Sequence, residues 1–451
     1  MALPSKVQPL ESWQSDDIRD RLNHFLAPFF LRLTHSHQRL YADIYIKGRF
    51  DSQSRRTSEP IARASKVDHR QLQYFLGESR WQDRTLRDTM RDKVIAEIGS
   101  PKGILIIDAS AFEKAGRHSV GVQRQYNGRL GKVDNCQLGE FIGYAANGYV
   151  TLLDCELYLP EQWLSDKERR EKAHIPDDLE YRSGHELALE LVKRNAESVP
   201  HCAVVGDEAY GRVDALRDGF TKIGERYLLE IPLNRQLRPL IGETWYSAEE
   251  LGQKLLEEAT EFKTRDGEKG PIEVRAAKCR VATKRGKRGE LEVVETFVVV
   301  SNKKGTEKWH YLGTDDRTSL KEWTRIGASR TGIEYAFQVA KGEVGLDEYE
   351  VRSYVGWNHH MTLSLIAMAF LVMDQKWLKK RGYALPLASF GEYWCSYVDE
   401  FGRESSSSKT SSGPWPGPTA SGKADGGGKE GGARRASKPS SRGRRLPQQP
   451  V

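Results

Sequence analysis

Between Ser15 and Leu33 apolar side chains recur at Ile18, Leu22, Phe25, Phe29 and Leu33, the spacing of one face of an amphipathic helix. Helical patterning continues through the first hundred residues. Within them Ser58 or Glu59 opens a short helix to Ala64, Lys66 to Asp68 form a turn, and His69 to Leu76 directs Leu72, Phe75 and Leu76 inward. Arg39 to Arg70 carries eight basic residues against four acids, so two short helices with a tight turn in a basic stretch resemble a helix-turn-helix. A plain helical hairpin that binds nothing has the same spacing.

From Lys102 the period changes. Gly103 to Asp108 is a continuous apolar run closing on an acid, the pattern of a buried central strand. Gln137 to Ala145 and Tyr149 to Tyr158 are strand candidates separated by Asn147-Gly148, a strong hairpin signal. Leu187 to Glu197 then reads as helix, His201 to Asp207 as a second strand ending in an acid, Val213 to Ile223 as helix and Arg226 to Pro232 as strand. A three-strand meander followed by helix, strand, helix, strand is the order of a ribonuclease-H-like core, in which the first and fourth strands are neighbours. Strand-like runs at Ile272 to Thr283 and Leu291 to Ser301 flank a turn rich in lysine, arginine and glycine. Leu320 to about Gly345 and Val355 to Lys380 read as long helices.

The expected fold class is therefore α/β, a ribonuclease-H-like catalytic core with a β-rich insertion, a helical N-terminal DNA-binding region and a disordered basic C-terminal tail. The expected boundaries are residues 1–100 for the N-terminal region, 101–233 for the first part of the core, 234–316 for the insertion, 317–403 for the helices that complete the core, and 404–451 for the tail.

Composition narrows the classes. With 38% hydrophobic and 29% charged residues in 451, neither a membrane protein nor a chain disordered throughout is expected. The longest apolar stretch, Met361 to Met373, has 13 residues, short of the roughly 20 that a span needs. The N-terminus lacks a basic region followed by an apolar run, so secretion is not expected. Five cysteines without a CxxC pair argue against a disulfide framework or zinc knuckle and fit a reducing, cytoplasmic setting. Of the net charge of +7, residues 404–451 supply nine Lys or Arg against three acids, so local clusters matter more than the total. The sharpest is Arg275, Lys278, Arg280, Lys284, Arg285, Lys287 and Arg288, a run without an acid that is a candidate phosphate-binding surface as well as a candidate solvated turn.

Three carboxylates form the candidate site. Asp108 and Asp207 end strands expected to be neighbours. If Leu320 to Gly345 is helical, Arg330, Glu334 and Lys341 fall within about 40° of one another, beside an apolar ridge of Ile333, Phe337, Ala340 and Val344. Converging carboxylates raise one another's pKa and call for cations. Mg²⁺ prefers oxygen ligands and keeps room for substrate phosphate oxygens, and a pair of such ions supports in-line attack at phosphorus. That chemistry is phosphodiester cleavage and strand transfer. The chain has no GxxxxGK[ST] loop, GxGxxG after a strand, HExxH or GxSxG, so catalysis is not expected to depend on ATP. His359 and His360 lack a partner at metal spacing and are expected near a helix start.

Several motifs in order carry a resemblance: Asp108 to Gly116, His118 to Tyr126, Gly131 to Gln137, Leu157 to Pro160, Val205 to Gly211, and Ile333-Glu334 through Ala340 to Asp347. From about Tyr45 to Leu371 the chain resembles DDE-class transposases of bacterial insertion sequences, in particular the family numbered 701, related to the larger group with a β-rich insertion before the catalytic glutamate. The resemblance implies that Asp108, Asp207 and Glu334 are both the catalytic triad and the metal ligands, with Mg²⁺ as cofactor and Mn²⁺ as substitute. It implies DNA-backbone contacts for Arg330 and Lys341, the last places of a Tyr-x2-Arg-x3-Glu-x6-Lys pattern. It also implies binding to double-stranded DNA at terminal inverted repeats and target, homodimeric synapsis, and a hairpin intermediate by analogy with the larger group. The chain departs from the pattern at Gly327, where the tyrosine would stand, at Ala109 and Ser110, where an acid and a threonine are usual, and at Thr331, where a tryptophan is common. Those departures and the unmatched tail keep open an alternative, a catalytically silent transposase-derived DNA-binding protein. A stand-alone nuclease without strand transfer is a third reading.

Overall fold

Asn147 and Gly148 both adopt positive φ, 53° and 81°, the backbone that a two-residue hairpin turn requires. They form the exposed turn that reverses the chain between two antiparallel strands of a mixed α/β structure. The computed structural model describes residues 12–51, 54–128, 130–267, 270–286 and 289–382. The tail at 404–451, Cys395, and Lys287 and Arg288 of the basic run lie outside the described residues.

Five helices come first: α1 (Ser12–Phe30), α2 (Ser36–Gly48), α3 (Ser58–Ala64), α4 (His69–Gly77) and α5 (Asp83–Ile98). Then follow β1 (Ile104–Glu113), β2 (Gln123–Asn127), β3 (Lys132–Ala146), β4 (Tyr149–Leu157), α6 (Glu161–Ser165), α7 (Lys167–Lys172), α8 (Gly184–Ala196), β5 (Ala203–Gly206), α9 (Glu208–Gly211), α10 (Asp214–Lys222) and β6 (Tyr227–Glu230). The next segment holds β7 (Gln236–Pro239), β8 (Tyr246–Ser247), α11 (Ala248–Glu257), β9 (Thr260–Gly267), β10 (Gly270–Arg285), β11 (Leu291–Asn302) and β12 (Lys308–Gly313). Three helices close the described chain: α12 (Leu320–Ala328), α13 (Thr331–Val344) and α14 (Tyr354–Lys380).

One sheet runs through the fold in the order β2-β3-β1-β5-β6-β12-β11-β10-β7-β8, with β4 on β3 and β9 on β10. β1 pairs antiparallel with β3 and parallel with β5, and β5 pairs parallel with β6. All four residues of β5 are buried, as a continuous apolar run in a central parallel strand should be. The expected neighbours, first and fourth strands of the reading above, are therefore in contact. β12 joins β6 antiparallel, so the strands of residues 234–316 continue the same sheet.

Four expectations change in detail. β1 continues past Asp108 to Glu113, which leaves the acid within a strand. β2 is an additional strand. The 234–316 segment includes the helix α11, opened by a capping box between Ser247 and Glu250. The single helix expected from Leu320 to Gly345 is two, because Arg330 and Ile333 bond three residues back, to Gly327 and to Arg330, in a tightened turn between α12 and α13. Ser329 and Arg330 keep helical φ and ψ, so Arg330 and Glu334 still share a stripe.

α14 is long and apolar enough to cross a membrane by composition, yet 78% of its apolar window is buried within the fold. It packs against α1, α2, α4, α5, α13 and β4 as the core helix. His359 and His360 lie in its second turn, both buried. His359 Nδ1 is 2.9 Å from the Leu76 carbonyl, and its ring stacks on Trp81. His360 Nδ1 is 2.8 Å from the Tyr45 hydroxyl and Nε2 is 3.0 Å from the Leu346 carbonyl. Buried Arg49 donates to the carbonyls of Val344, Gly345 and Glu348, where α13 ends on Gly345 at φ 57°. The N-terminal helices are thereby fastened to the helix that carries Glu334.

Candidate active site

β1 and β5 run parallel with Ile106 opposite Val205, so Asp108 and Asp207 lie two residues beyond that pair on adjacent chains. Asp108 is paired across β3 with Phe141, and directly opposed residues share a face. The Phe141 ring meets Phe337 of α13, with centroids 5.2 Å apart, so Asp108 stands on the face covered by the glutamate-bearing helix. Asp207 is the N-cap of the turn α9 and accepts from the backbone N–H of Ala209 at 2.9 Å.

The electrostatics join these groups. Burial pushes the Asp108 carboxyl up to about 7, the charge of Asp207 adds to that, the N–H of Ala109 and Arg330 oppose it, and Glu334 raises it further. Arg330 is the balancing cation. Burial disfavours its charge, but Glu230, Glu334, Asp207 and Asp108 together hold its pKa above the ordinary value. Its Nη2 is 3.0 Å from Glu334 Oε1, and its Nε is 3.6 Å from Glu230 Oε2. Lys341 points back along α13 to β1, where Nζ is 3.3 Å from the Ala111 carbonyl and 5.2 Å from the Phe112 ring centroid.

Two further acids belong to this neighbourhood. Glu230 ends β6, and its pKa is raised by burial, lowered by Arg330, and raised again by Asp207, Glu208 and Glu334. Glu140, opposite Ala109 on β3, lies on the other face of the sheet, buried beneath the site. It accepts a 2.6 Å hydrogen bond from the Tyr210 hydroxyl. Burial pushes its carboxyl up to about 8, the Tyr210 bond lowers it, and Asp108 and Asp207 raise it. The signal for Glu230 was available, a strand ending in an acid like the two already singled out. Glu140 had a weaker one, a lone acid within the apolar run Leu138 to Ala145.

The donors suit a hard divalent ion, since all are carboxylate oxygens and Asp108 resists ionisation beside Asp207. Among the described residues, however, no three His, Cys, Asp or Glu side chains are grouped closely enough to hold a metal ion. Asp108, Asp207 and Glu334 share a field, while Glu334 is drawn onto Arg330.

The basic run of the insertion is largely engaged within the protein. Arg275 donates to the Leu256 carbonyl at 2.7 Å, and Lys278 donates to the carbonyls of Asp316 and Thr318, each at 2.7 Å. Arg280 Nη1 is 3.5 Å from Asp316 Oδ1. Arg285 is buried and ion-paired with Asp214, Asp218 and Glu295, so it holds β10 against α10, and the expectation of a DNA contact is withdrawn for it. Lys284 is exposed, with Nζ 4.6 Å from the Trp245 ring centroid.

A family model described as DDE superfamily endonuclease matches residues 28–286, a span that includes Asp108 and Asp207 and stops before Glu334. The probable transposase for insertion sequence element IS701 of Microchaete diplosiphon is 26% identical over 308 residues, 66% of this chain and 73% of that protein. A cryo-EM structure of the piggyBac transposase synaptic complex with hairpin DNA matches at 11% identity over 88% of this chain and 80% of that chain, with a TM-score of 0.41.

Proposed function

This chain belongs to the DDE superfamily endonucleases, and on that footing we propose that it is an insertion-sequence DNA transposase, which binds terminal inverted repeats and catalyses metal-dependent strand cleavage and strand transfer. The observation that carries the reading is the gathering of acids around Arg330, which lies 3.0 Å from Glu334 of α13 and 3.6 Å from Glu230 at the end of β6 and also feels the charges of Asp108 within β1 and Asp207 just past β5. The identity to the IS701-element transposase over 66% of the chain supports it. The ribonuclease-H-like reading of residues 101–233 and 317–403 is supported by the antiparallel β4-β3-β1 meander followed by parallel β5 and β6.

In this proposal Asp108 and Asp207 would hold the divalent ion from the sheet, and Glu334, which pairs with Arg330 in the structure, would be the third ligand. Mg²⁺ or Mn²⁺ bound there supplies Lewis-acid stabilisation of the charge that develops on the phosphoryl oxygens. A phosphodiester of the DNA would be an alternative anionic partner for Arg330 in place of Glu334. Tyr210 and Glu140 brace the loop that carries Asp207 from below. The protein acts as a homodimer on double-stranded DNA in the bacterial cytoplasm.

The test incubates purified protein with a labelled duplex bearing a terminal inverted repeat sought in the DNA on either side of the gene, with Mg²⁺ or Mn²⁺, beside the Asp207→Asn variant. Metal-dependent nicking and joining by the wild type, lost in the variant, is the expected result. Tight binding to the repeat with no nicking under either metal would instead identify a silent DNA-binding protein.

A further inference from the structure

A second basic feature lies beside the carboxylates. A cavity of about 320 Å³ is lined by Arg212, Pro232, Asn234, Arg235, Gln236 and Lys284. Its walls are two chain segments that leave the candidate active site. Arg212 caps α9 five residues after Asp207, and Pro232 to Gln236 follow Glu230 at the end of β6. The third wall is the end of β10. The two core segments touch, because a Cβ on Gly211 would meet the Glu230 carbonyl at 1.8 Å, so glycine is required where the loop after Asp207 crosses β6.

The lining contains three cations and two amides and no acid. Each cation is held in place without being consumed. Arg235 donates through Nη2 to Asp214 Oδ1 at 2.8 Å and to the Lys284 carbonyl at 3.1 Å, which joins the start of β7 to the end of β10. Asp214 is itself shared with Arg217 and Arg285, so it neutralises little of Arg235. Lys284 is exposed over the Trp245 ring and has no carboxylate partner among the described residues. Arg212 is exposed and pairs with Glu208, four residues before it on the surface, an interaction that an incoming polyanion can replace at small cost.

We propose that this cleft is a backbone subsite of the DNA substrate, in which Arg212, Arg235 and Lys284 take phosphodiester oxygens of the strand leading away from Asp108 and Asp207. The inference rests on the transposase reading and adds to it the track by which DNA crosses from the core onto the insertion. Asn234 and Gln236 supply neutral donors to the same phosphates or their sugars.

The experiment measures binding of full-length protein to a fluorescent random-sequence duplex across a range of salt concentrations. The variants are Arg212→Gln/Lys284→Gln, Lys284→Gln alone, and a control, Lys222→Gln/Lys303→Gln, that removes two exposed charges elsewhere. Each phosphate contact contributes about 0.9 to the slope of log affinity against log salt. The double variant should flatten that slope by about 2 and Lys284→Gln by about 1, with the control changing it by less than half as much as the double variant. Equal effects in control and double variant, or an unchanged slope in both cleft variants, overturn the subsite. If metal-dependent nicking persists in the wild type in that case, the transposase reading survives. A wild type with neither duplex affinity nor nicking removes both.

Discussion

Arg330 and Glu334 form an ion pair one turn apart, Nη2 to Oε1 at 3.0 Å, and the same guanidinium faces the charges of Asp108, Asp207 and Glu230. A cation fixed to the protein thus occupies the electrostatic position that a divalent ion must share. Arg330→Gln should therefore tighten Mn²⁺ binding by removing the competing charge, while lowering strand cleavage through loss of the DNA-backbone contact proposed for Arg330. For a pair this exposed the gain is about 1 kcal/mol, or about fivefold in affinity. Calorimetric titration of Mn²⁺ checks it, and weaker binding in the variant would refute the competition.

The Tyr210 hydroxyl is the hydrogen-bond donor to buried Glu140. Tyr210→Phe should cost about 1–3 kcal/mol of unfolding free energy, the price of stranding a buried acceptor. Glu140 also sets a pH dependence. Its folded pKa is raised to about 8 against roughly 4.3 in an unfolded chain, so across that window the folded state binds the extra proton, and stability falls as pH rises towards 8. Asp108, raised to about 7, acts in the same direction. Urea denaturation of metal-free protein should show Glu140→Gln flattening this decline; a decline as steep as in the wild type would contradict the assignment.

Glu295 is buried between Arg217 and Arg285, at 2.9 and 2.8 Å, and also accepts from Tyr227 and Thr283. Burial alone would raise its pKa, but the two guanidinium groups hold it below the usual value. Glu295→Ala removes the buried anion of Arg217 and Arg285 and leaves them only the partly exposed Asp214 and Asp218, so it should destabilise the protein by about 3 kcal/mol, the low end for a broken buried pair. Lys172→Ala, which removes a solvent-exposed helical pair with Glu168, should leave stability close to that of the wild type, because water and salt screen such a pair. Thermal melts of the two variants give the comparison, and similar shifts would show that the Glu295 network is not what ties α10 to β10 and β11.

Three buried imidazoles give the opposite pH dependence at the acid end. Burial lowers His310 to about 4, with Lys308 adding to the effect, lowers His359 to about 4, and holds His360 well below its ordinary value. Unfolded histidine titrates near 6.5, so between about pH 6.5 and 4 the unfolded chain takes up more protons and stability falls as pH falls. His310 Nε2 is buried without a partner, and the ring stacks on Phe297. His310→Phe should make the acid limb shallower in a melting series from pH 7 to 4.5. An unchanged limb would mean that His310 does not contribute.

Local pattern made much of this fold legible. The run ending at Asp207, the Asn147-Gly148 turn and the apolar length of α14 each depend on neighbours in sequence and appear where the pattern put them, whereas the strand read as ending at Asp108 continues to Glu113. The neighbouring placement of β1 and β5 followed from element order. What escaped depends on distant partners. Arg285 looked like a surface cation because Asp214, Asp218 and Glu295, which bury its charge, come from elsewhere in the chain. The pairing of β12 with β6, which makes one sheet of core and insertion, has no local signature. The helix α11 did have one, Ser247 with Glu250 before an apolar-periodic run. It was obscured by the β-rich segments that follow.

The most direct test of the central claim is Mn²⁺ binding followed by electron paramagnetic resonance on wild type, Asp108→Asn, Asp207→Asn and Glu334→Gln, each with bound duplex DNA. The account predicts tight Mn²⁺ binding by the wild type and its loss or marked weakening in all three variants. Binding that is unchanged in the variants, or that depends on Asp108 and Asp207 but not on Glu334, would contradict a site shared by the three carboxylates.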